Sequence, residues 1–148
     1  MSSFFCPDAS VVVKWLLPEA DSPIAVDFLI KHTNEGDEFL VPALCMVEVP
    51  SAILRKVRKG QATIGEAHTA VEDFHSLLAV VTVIREDWEL VQRAWDIASS
   101  YRLGRMYDSV YLALAERFGA ECWTADGSFH SAVGADFPRL KLLSSYQP

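Results

Sequence analysis

Four acidic residues stand where acids are out of place. Asp8 falls between FFCP and VVVKWLL, Glu48 is embedded in CMVEVP, Asp108 heads the run DSVYLALAE, and Asp126 ends ECWTA. The rest of the 20 acids keep polar company, as in Glu35, Asp37 and Glu38 or in Glu86, Asp87 and Glu89, and read as solvated surface. A charge flanked by residues that favour burial needs a partner. Two unit charges about 4 Å apart repel by about 4 kcal/mol at an effective dielectric near 20, so carboxylates that converge must be neutralised by protons or cations. Oxygen-only ligation, with no His or Cys at ligand spacing, suits the hard ions Mg²⁺ or Mn²⁺. That is the donor set of metal-assisted phosphodiester hydrolysis, in which a metal-activated water attacks in line while charge on the phosphate and leaving oxygen is stabilised.

Each carboxylate also has a plainer reading. Asp108 and Asp126 suit helix caps or turns. At helical spacing, however, Asp108 shares a face with Tyr111, Leu112 and Ala115, the stripe expected to turn inward, while Ser109 and Glu116 point elsewhere. Glu48, between Val47 and Val49, reads as a mid-helix glutamate with no cap to make. The basic run Arg55, Lys56, Arg58 and Lys59 before Gly60 is what a helix C-terminus prefers. Arg55 and Lys59 also fall about two and three turns beyond Glu48 on roughly its side, suited to tracking an RNA backbone. Both readings of that run stay open.

The elements that must position these residues follow from alternation. Short β-type runs, FFCP at 4–7, EFLVP at 38–42, VVTVI at 80–84, ECWTA at 121–125 and LKLL at 140–143, are separated by helical segments. Five buried strands in this order imply a mostly parallel sheet covered on both faces, with ligands bound outside the C-terminal strand ends. Asp8 and Asp126 qualify directly as strand-end residues; Glu48 lies on the helix after the second strand and Asp108 opens the helix before the fourth. The stretch LLAVVTVI at 77–84 reads as a buried strand, far short of the roughly 20 residues that cross a bilayer. Asp21-Ser22-Pro23 reads as a cap with an early proline, and Thr63 to Glu66 as a capping box. Trp88, Val91, Trp95 and Ala98 form one apolar helix face assigned to the core.

With 148 residues and 51% hydrophobic content, the chain supplies a core for one domain spanning 1–148. Cys6, Cys45 and Cys122 are expected as reduced core thiols, and His32, His68, His75 and His130, without zinc spacing, as solvated surface. A net charge of −7 argues against a generally basic nucleic-acid-gripping surface but leaves room for a local site. The N-terminal MSSFFCPD carries no visible secretory signal, so a cytoplasmic protein without a membrane partner is expected.

The run PDASVVVKWLLPE, the glutamate of MVEV and the block YDSVYLALAERFGAECWTADGSF, in this order, resemble a PIN domain, specifically the VapC-type toxin ribonucleases of toxin–antitoxin pairs. The resemblance covers essentially the whole chain and is most specific from Tyr107 to Phe129. It implies a three-layer α/β/α sandwich around a five-stranded sheet and an acidic pocket of Asp8, Glu48, Asp108 and Asp126 that binds Mg²⁺ or Mn²⁺. It places Ser10 and Thr124 at the hydroxyl positions that support the carboxylates. It further implies endoribonuclease activity, a homodimer, and a small DNA-binding antitoxin (VapB-like) that blocks the pocket; because such a pocket lacks a cation when no metal is bound, an arginine or lysine of that partner is the expected plug. Pro7 in the first strand, Pro50 in the helix of Glu48, where a kink or restart is expected, Ser51, and Gly127-Ser128 depart from the family pattern.

Two other classes compete. A flavodoxin-like phosphoacceptor wants adjacent acids after the first strand and a lysine ending the last, whereas Asp8 stands alone and the fourth strand ends in Asp126. A PIN-like module with idle acids would act only by binding its partner.

Overall fold

The computed structural model describes residues 1–148. Five strands alternate with seven α-helices: β1 Phe4–Pro7, α1 Ala9–Leu16, α2 Ser22–Glu35, β2 Glu38–Pro42, α3 Cys45–Arg58, α4 Ile64–Leu77, β3 Thr82–Ile84, α5 Trp88–Ser100, α6 Tyr107–Phe118, β4 Glu121–Thr124, α7 Gly127–Val133 and β5 Leu140–Leu142. The sheet is parallel throughout, in the order β3-β2-β1-β4-β5, and forms the centre of an α/β/α sandwich. A flavodoxin-like sheet runs 2-1-3-4-5, so the phosphoacceptor reading fails on topology.

This order decides where a site can form. From β1 the chain adds β2 and β3 on one side and then β4 and β5 on the other side of β1, so the order in which strands are laid down reverses between β1 and β4. Ligands bind in the crevice that opens at such a switch point. Asp8 directly follows β1, and Asp126 follows β4 by two residues. Pro7 costs the central strand little, because it ends β1 and the next amide, Asp8 N, donates to Trp123 O at 2.9 Å. Cys6 and Cys122 face each other in register on β1 and β4, and all three cysteines are free and buried, as their apolar settings imply.

Helix α6 is the centre of the core. Residues 109–115 are buried without interruption, since α6 packs on β1, β2 and β4 and is covered by α5. Ser109, expected to point away, is fully buried for this reason. Helix α5 also turns a different face inward from the one expected. Leu90, Ala94, Ile97 and Ala98 are buried, whereas Trp88 is 73% and Trp95 61% exposed. Ion pairs at either end of the α5–α6 seam, Arg93 with Glu116 at 2.7 Å and Asp87 with Arg117 at 2.9 Å, fix this rotation.

The third strand is shorter than expected. Leu77 ends α4, and Val80 and Val81 both donate to Leu77 O as the chain turns, which leaves Val80 70% exposed and only Thr82–Ile84 paired at the sheet edge. β4 and β5 each stop one residue early, and Leu143–Ser145 form a 3-10 turn. The Thr63–Glu66 capping box is formed. Asp21 occupies the cap position of α2 but makes no side-chain cap bond. Helix α3 runs continuously through Pro50, so the helix does not restart there. No helix is long and apolar enough to cross a membrane.

Candidate active site

The apolar strand β1 carries the chain into the interior, and Asp8 arrives there as the N-cap of α1. Its Oδ1 accepts from Ser10 N at 3.0 Å, Ser10 Oγ at 2.5 Å and Val11 N at 3.3 Å. Its Oδ2 is buried with no partner, and the residue is 1% exposed. Burial outweighs these bonds and pushes the Asp8 carboxyl up to about 7, with nearby Asp108 adding to the rise.

Ser10 and Thr124 weld the two strand ends together. Ser10 Oγ accepts from Ala125 N at 2.9 Å while donating to Asp8, and lies 3.5 Å from Thr124 Oγ1. Thr124 Oγ1 in turn accepts from Asp126 N at 3.1 Å. Asp126 caps the short helix α7 through Oδ1, which accepts from Ser128 N and Phe129 N. The capping reading of Asp126 is therefore correct for one oxygen, while the residue still lines the cleft. Gly127 and Ser128 serve that cap.

Asp108 is not a cap. It is the second residue of α6, behind Met106, and no side-chain cap bond is made there. Burial raises its carboxyl above the usual range, the charge of Asp126 raises it further, and Arg105 acts against both. Glu48 lies in the first turn of α3 rather than mid-helix. Its Oε1 is buried and unpartnered, and burial raises its carboxyl too. The buried Tyr111 hydroxyl beside it pulls the other way, although neither group completes a hydrogen bond. Asp108 repels Asp8, Glu48 and Asp126 alike, so it is the hub of the cluster.

Glu48, Asp108 and Asp126 line one cleft of about 500 Å³; Asp8 is not in its lining but is buried against it, bonded to the lining residue Ser10 and feeling the charge of Asp108. Ser51 and Arg55 extend the Glu48 face along α3 into the same cleft, whereas Lys59, the C-cap of α3, stays outside it. The basic run thus serves both readings, helix end and cleft wall, through different residues. Two cations in the lining, Lys14 and Arg105, are not singled out by the sequence, and Lys56 is read there only as part of the basic run that ends a helix. Lys14 lies four residues after Ser10 and Lys56 eight after Glu48, spacings that return to the same helix face. That periodic signal was legible, but nothing in it says that the two faces meet.

A second group of metal-capable side chains, His32, Glu35 and Asp37, lies at the opposite, N-terminal end of the sheet. His32 is not the solvated histidine expected. Its Nδ1 pairs with Asp37 Oδ2 at 2.8 Å and its ring packs against Phe5 and Phe28. Asp37 also accepts from Ser3 N, so the trio ties the starts of β1 and β2 to the end of α2.

A donor set of carboxylate oxygens, two of them buried and unpartnered, fits a hard divalent ion. Comparison with known proteins agrees with the fold. Similar solved structures include a toxin–antitoxin complex from Klebsiella pneumoniae (TM-score 0.61, 13% identity, 97% of this chain and 99% of that one). PAE2754 from Pyrobaculum aerophilum is similar too (TM-score 0.64, 22% identity, 89% and 87%). So is the sarcin-ricin-loop-cleaving toxin VapC20 from Mycobacterium tuberculosis (TM-score 0.63, 18% identity, 88% and 95%). No curated protein sequence matches the chain significantly. The family model of the PIN domain matches residues 5–134, which takes in all four carboxylates, and the chain belongs to the PIN domain family.

Proposed function

We propose that the protein is a Mg²⁺- or Mn²⁺-dependent endoribonuclease and the toxin component of a toxin–antitoxin pair. The observation that supports this reading is a cleft lined by Glu48, Asp108 and Asp126 with the buried Asp8 bonded to its lining residue Ser10, and with one buried oxygen each of Asp8 and Glu48 unpartnered. Asp8 and Asp108 are the principal ligands of the ion, with Glu48 and Asp126 completing an all-oxygen set. When bound, the ion supplies a Lewis acid for the phosphate and a water of lowered pKa. The chain's own residues do the positioning. Ser10 and Thr124 hold Asp8 and Asp126 at a fixed separation, Asp126 stays anchored through its cap, and Arg105 and Arg55 offer cationic contacts to the RNA backbone from the cleft wall.

Family membership and the likeness to a toxin–antitoxin complex support a small DNA-binding antitoxin as partner. The pocket's surplus of negative charge suits an arginine or lysine from that partner as a plug. In this reading the protein is cytoplasmic and homodimeric.

The test is cleavage of RNA by the purified protein. Mg²⁺ or Mn²⁺ should support it, excess chelator should abolish it, and undiminished activity in chelator would sink the metal-dependent reading. No cleavage under any divalent ion, with partner binding intact, would favour the module with idle acids. Co-purification with an adjacent gene product that inhibits cleavage tests the plug, and a partner that leaves cleavage untouched counts against it.

A further inference from the structure

The cleft carries more positive charge than a chain of net charge −7 leads one to expect. Lys14, Arg55, Lys56 and Arg105 stand in its walls, whereas Arg93 and Arg117 are engaged elsewhere in surface ion pairs. Two of the four are organised. Lys14 on α1 and Lys56 on α3 both bind the carboxylate of Glu19, Lys14 Nζ lying 2.8 Å from Glu19 Oε2 while Lys56 Nζ meets Glu19 Oε1. These are not floppy surface lysines. Their side chains are 13% and 21% exposed, and burial together with the charges of Lys14 and Lys59 lowers the Lys56 ammonium's pKa.

The bridge is fixed from below. Glu19 N donates to Ser22 Oγ at 2.8 Å, and that hydroxyl donates to Leu17 O at 3.1 Å, so the α1–α2 turn that carries Glu19 is closed on itself. Helix α1 packs directly on α3. Lys14 therefore lies one helical turn, about 6 Å along the axis, beyond Ser10, and Lys56 about 12 Å beyond Glu48. Both ammonium groups meet at Glu19 in the wall of the cleft, and their backbone positions lie beyond Ser10 and Glu48 along α1 and α3. That placement suits a phosphate next to the one under attack on the same strand.

We infer that Lys14 and Lys56, clustered by Glu19, form a subsite for a backbone phosphate of the RNA flanking the scissile one, with Glu19 as a positioning residue. The inference rests on the ribonuclease reading of the same cleft. Glu19 stands between the two ammonium groups, and the more exposed Asp21 lies 3.9 Å from Lys14, so the charge of the lysine pair is screened from both sides until a phosphate competes for it. The bridge brings the two cations together before substrate arrives, so their mutual repulsion is already offset when the phosphate docks. The contact is to the sugar–phosphate chain and carries no base preference.

The experiment compares the parent with Lys14→Gln, Lys56→Gln, the double variant and Lys56→Arg, on a short mixed-sequence single-stranded RNA. Cleavage is followed in Mg²⁺ or Mn²⁺, and binding by fluorescence anisotropy in Ca²⁺, across a salt series. Each glutamine variant should raise KM about tenfold with kcat within about twofold, the loss expected for one charge-assisted hydrogen bond. In the double variant the slope of log binding constant against log salt should flatten by about 1.4, two single-strand contacts at about 0.7 each. Lys56→Arg should restore KM and slope to near the parent. Unchanged KM and slope in the double variant overturn the inference, as does a loss confined to kcat. A parent that binds RNA with lysine-dependent salt sensitivity yet cleaves nothing leaves the subsite standing and removes the nuclease reading. A parent with no RNA binding overturns the subsite.

Discussion

Replacing Asp8 by asparagine separates the cost of the buried charge from the benefit of the cap. The carboxyl is held near 7, against 3.8 for a free aspartate, chiefly by burial. The folded chain thus keeps a proton that the unfolded chain has already released above about pH 4. The stabilisation is fully present below the unfolded value and is lost as pH rises through about 7. The rise from 3.8 to about 7, at 1.36 kcal/mol per pH unit, amounts to roughly 4 kcal/mol in all, of which about 3 kcal/mol falls between about pH 5 and pH 8. For a chain of this size that is a fall in Tm on the order of 10 °C across the interval. Asparagine retains the Oδ1 that accepts from Ser10 and Val11 and places an amide where Oδ2 has no partner. Metal-free Asp8→Asn should therefore lose much less stability than the parent between pH 5 and 8 and be the more stable of the two at pH 8. Glu48 and Asp108, also raised by burial, leave a smaller decline in both proteins. Saturating Mn²⁺ should stabilise the parent at pH 8, by about 2.7 kcal/mol at a hundredfold excess over Kd, and the variant scarcely at all. Thermal and urea unfolding across the pH series measure this. If the variant declined as steeply as the parent, the charge on Asp8 would not be what the fold resists.

Asp108→Asn should abolish RNA cleavage while leaving the metal-free protein at least as stable as the parent, because Asp108 caps nothing and its charge repels three others; an active variant would remove it from the site. Ser10→Ala deletes the hydroxyl shared by Asp8 and Ala125 N, so urea unfolding should register a loss of about 1–3 kcal/mol and calorimetry a weaker affinity for Mn²⁺ at neutral pH. On α5, Ile97→Ala should cost about 2–5 kcal/mol and Trp95→Ala less than about 1 kcal/mol, and comparable losses would contradict the rotation of this helix.

Much of the site was legible because each acid lies next to apolar sequence that has to be buried. FFCP and ECWTA are strands wherever they pair, so the acids that follow them, Asp8 and Asp126, had to emerge at strand ends. Glu48 and Asp108 were marked by the apolar residues around them for the same reason. Cap chemistry was legible too where it is local, as at Thr63 and Glu66.

What the sequence left open are matters of which surfaces meet. Along α5 two apolar stripes overlap at helical spacing, one with Trp88 and Trp95, the other with Leu90, Ala94 and Ile97. Periodicity weighs both alike. Packing against α6, with the ion pairs of Arg93 and Asp87 at either end, turned Leu90, Ala94 and Ile97 inward and left the indoles outside. Likewise VVTVI has the composition of a central strand, but placement at the sheet edge gave it one neighbour and a short ladder. The sheet order itself, which opens the crevice between β1 and β4, is invisible to any local pattern. So is the bridge of Lys14 and Lys56 through Glu19: each lysine's helix face could be read from spacing, yet their meeting depends on α1 packing against α3, a contact between segments some forty residues apart. Local sequence determines which groups are forced inward, since burial acts on each residue where it stands; only the tertiary packing of distant helices decides which of those groups face one another.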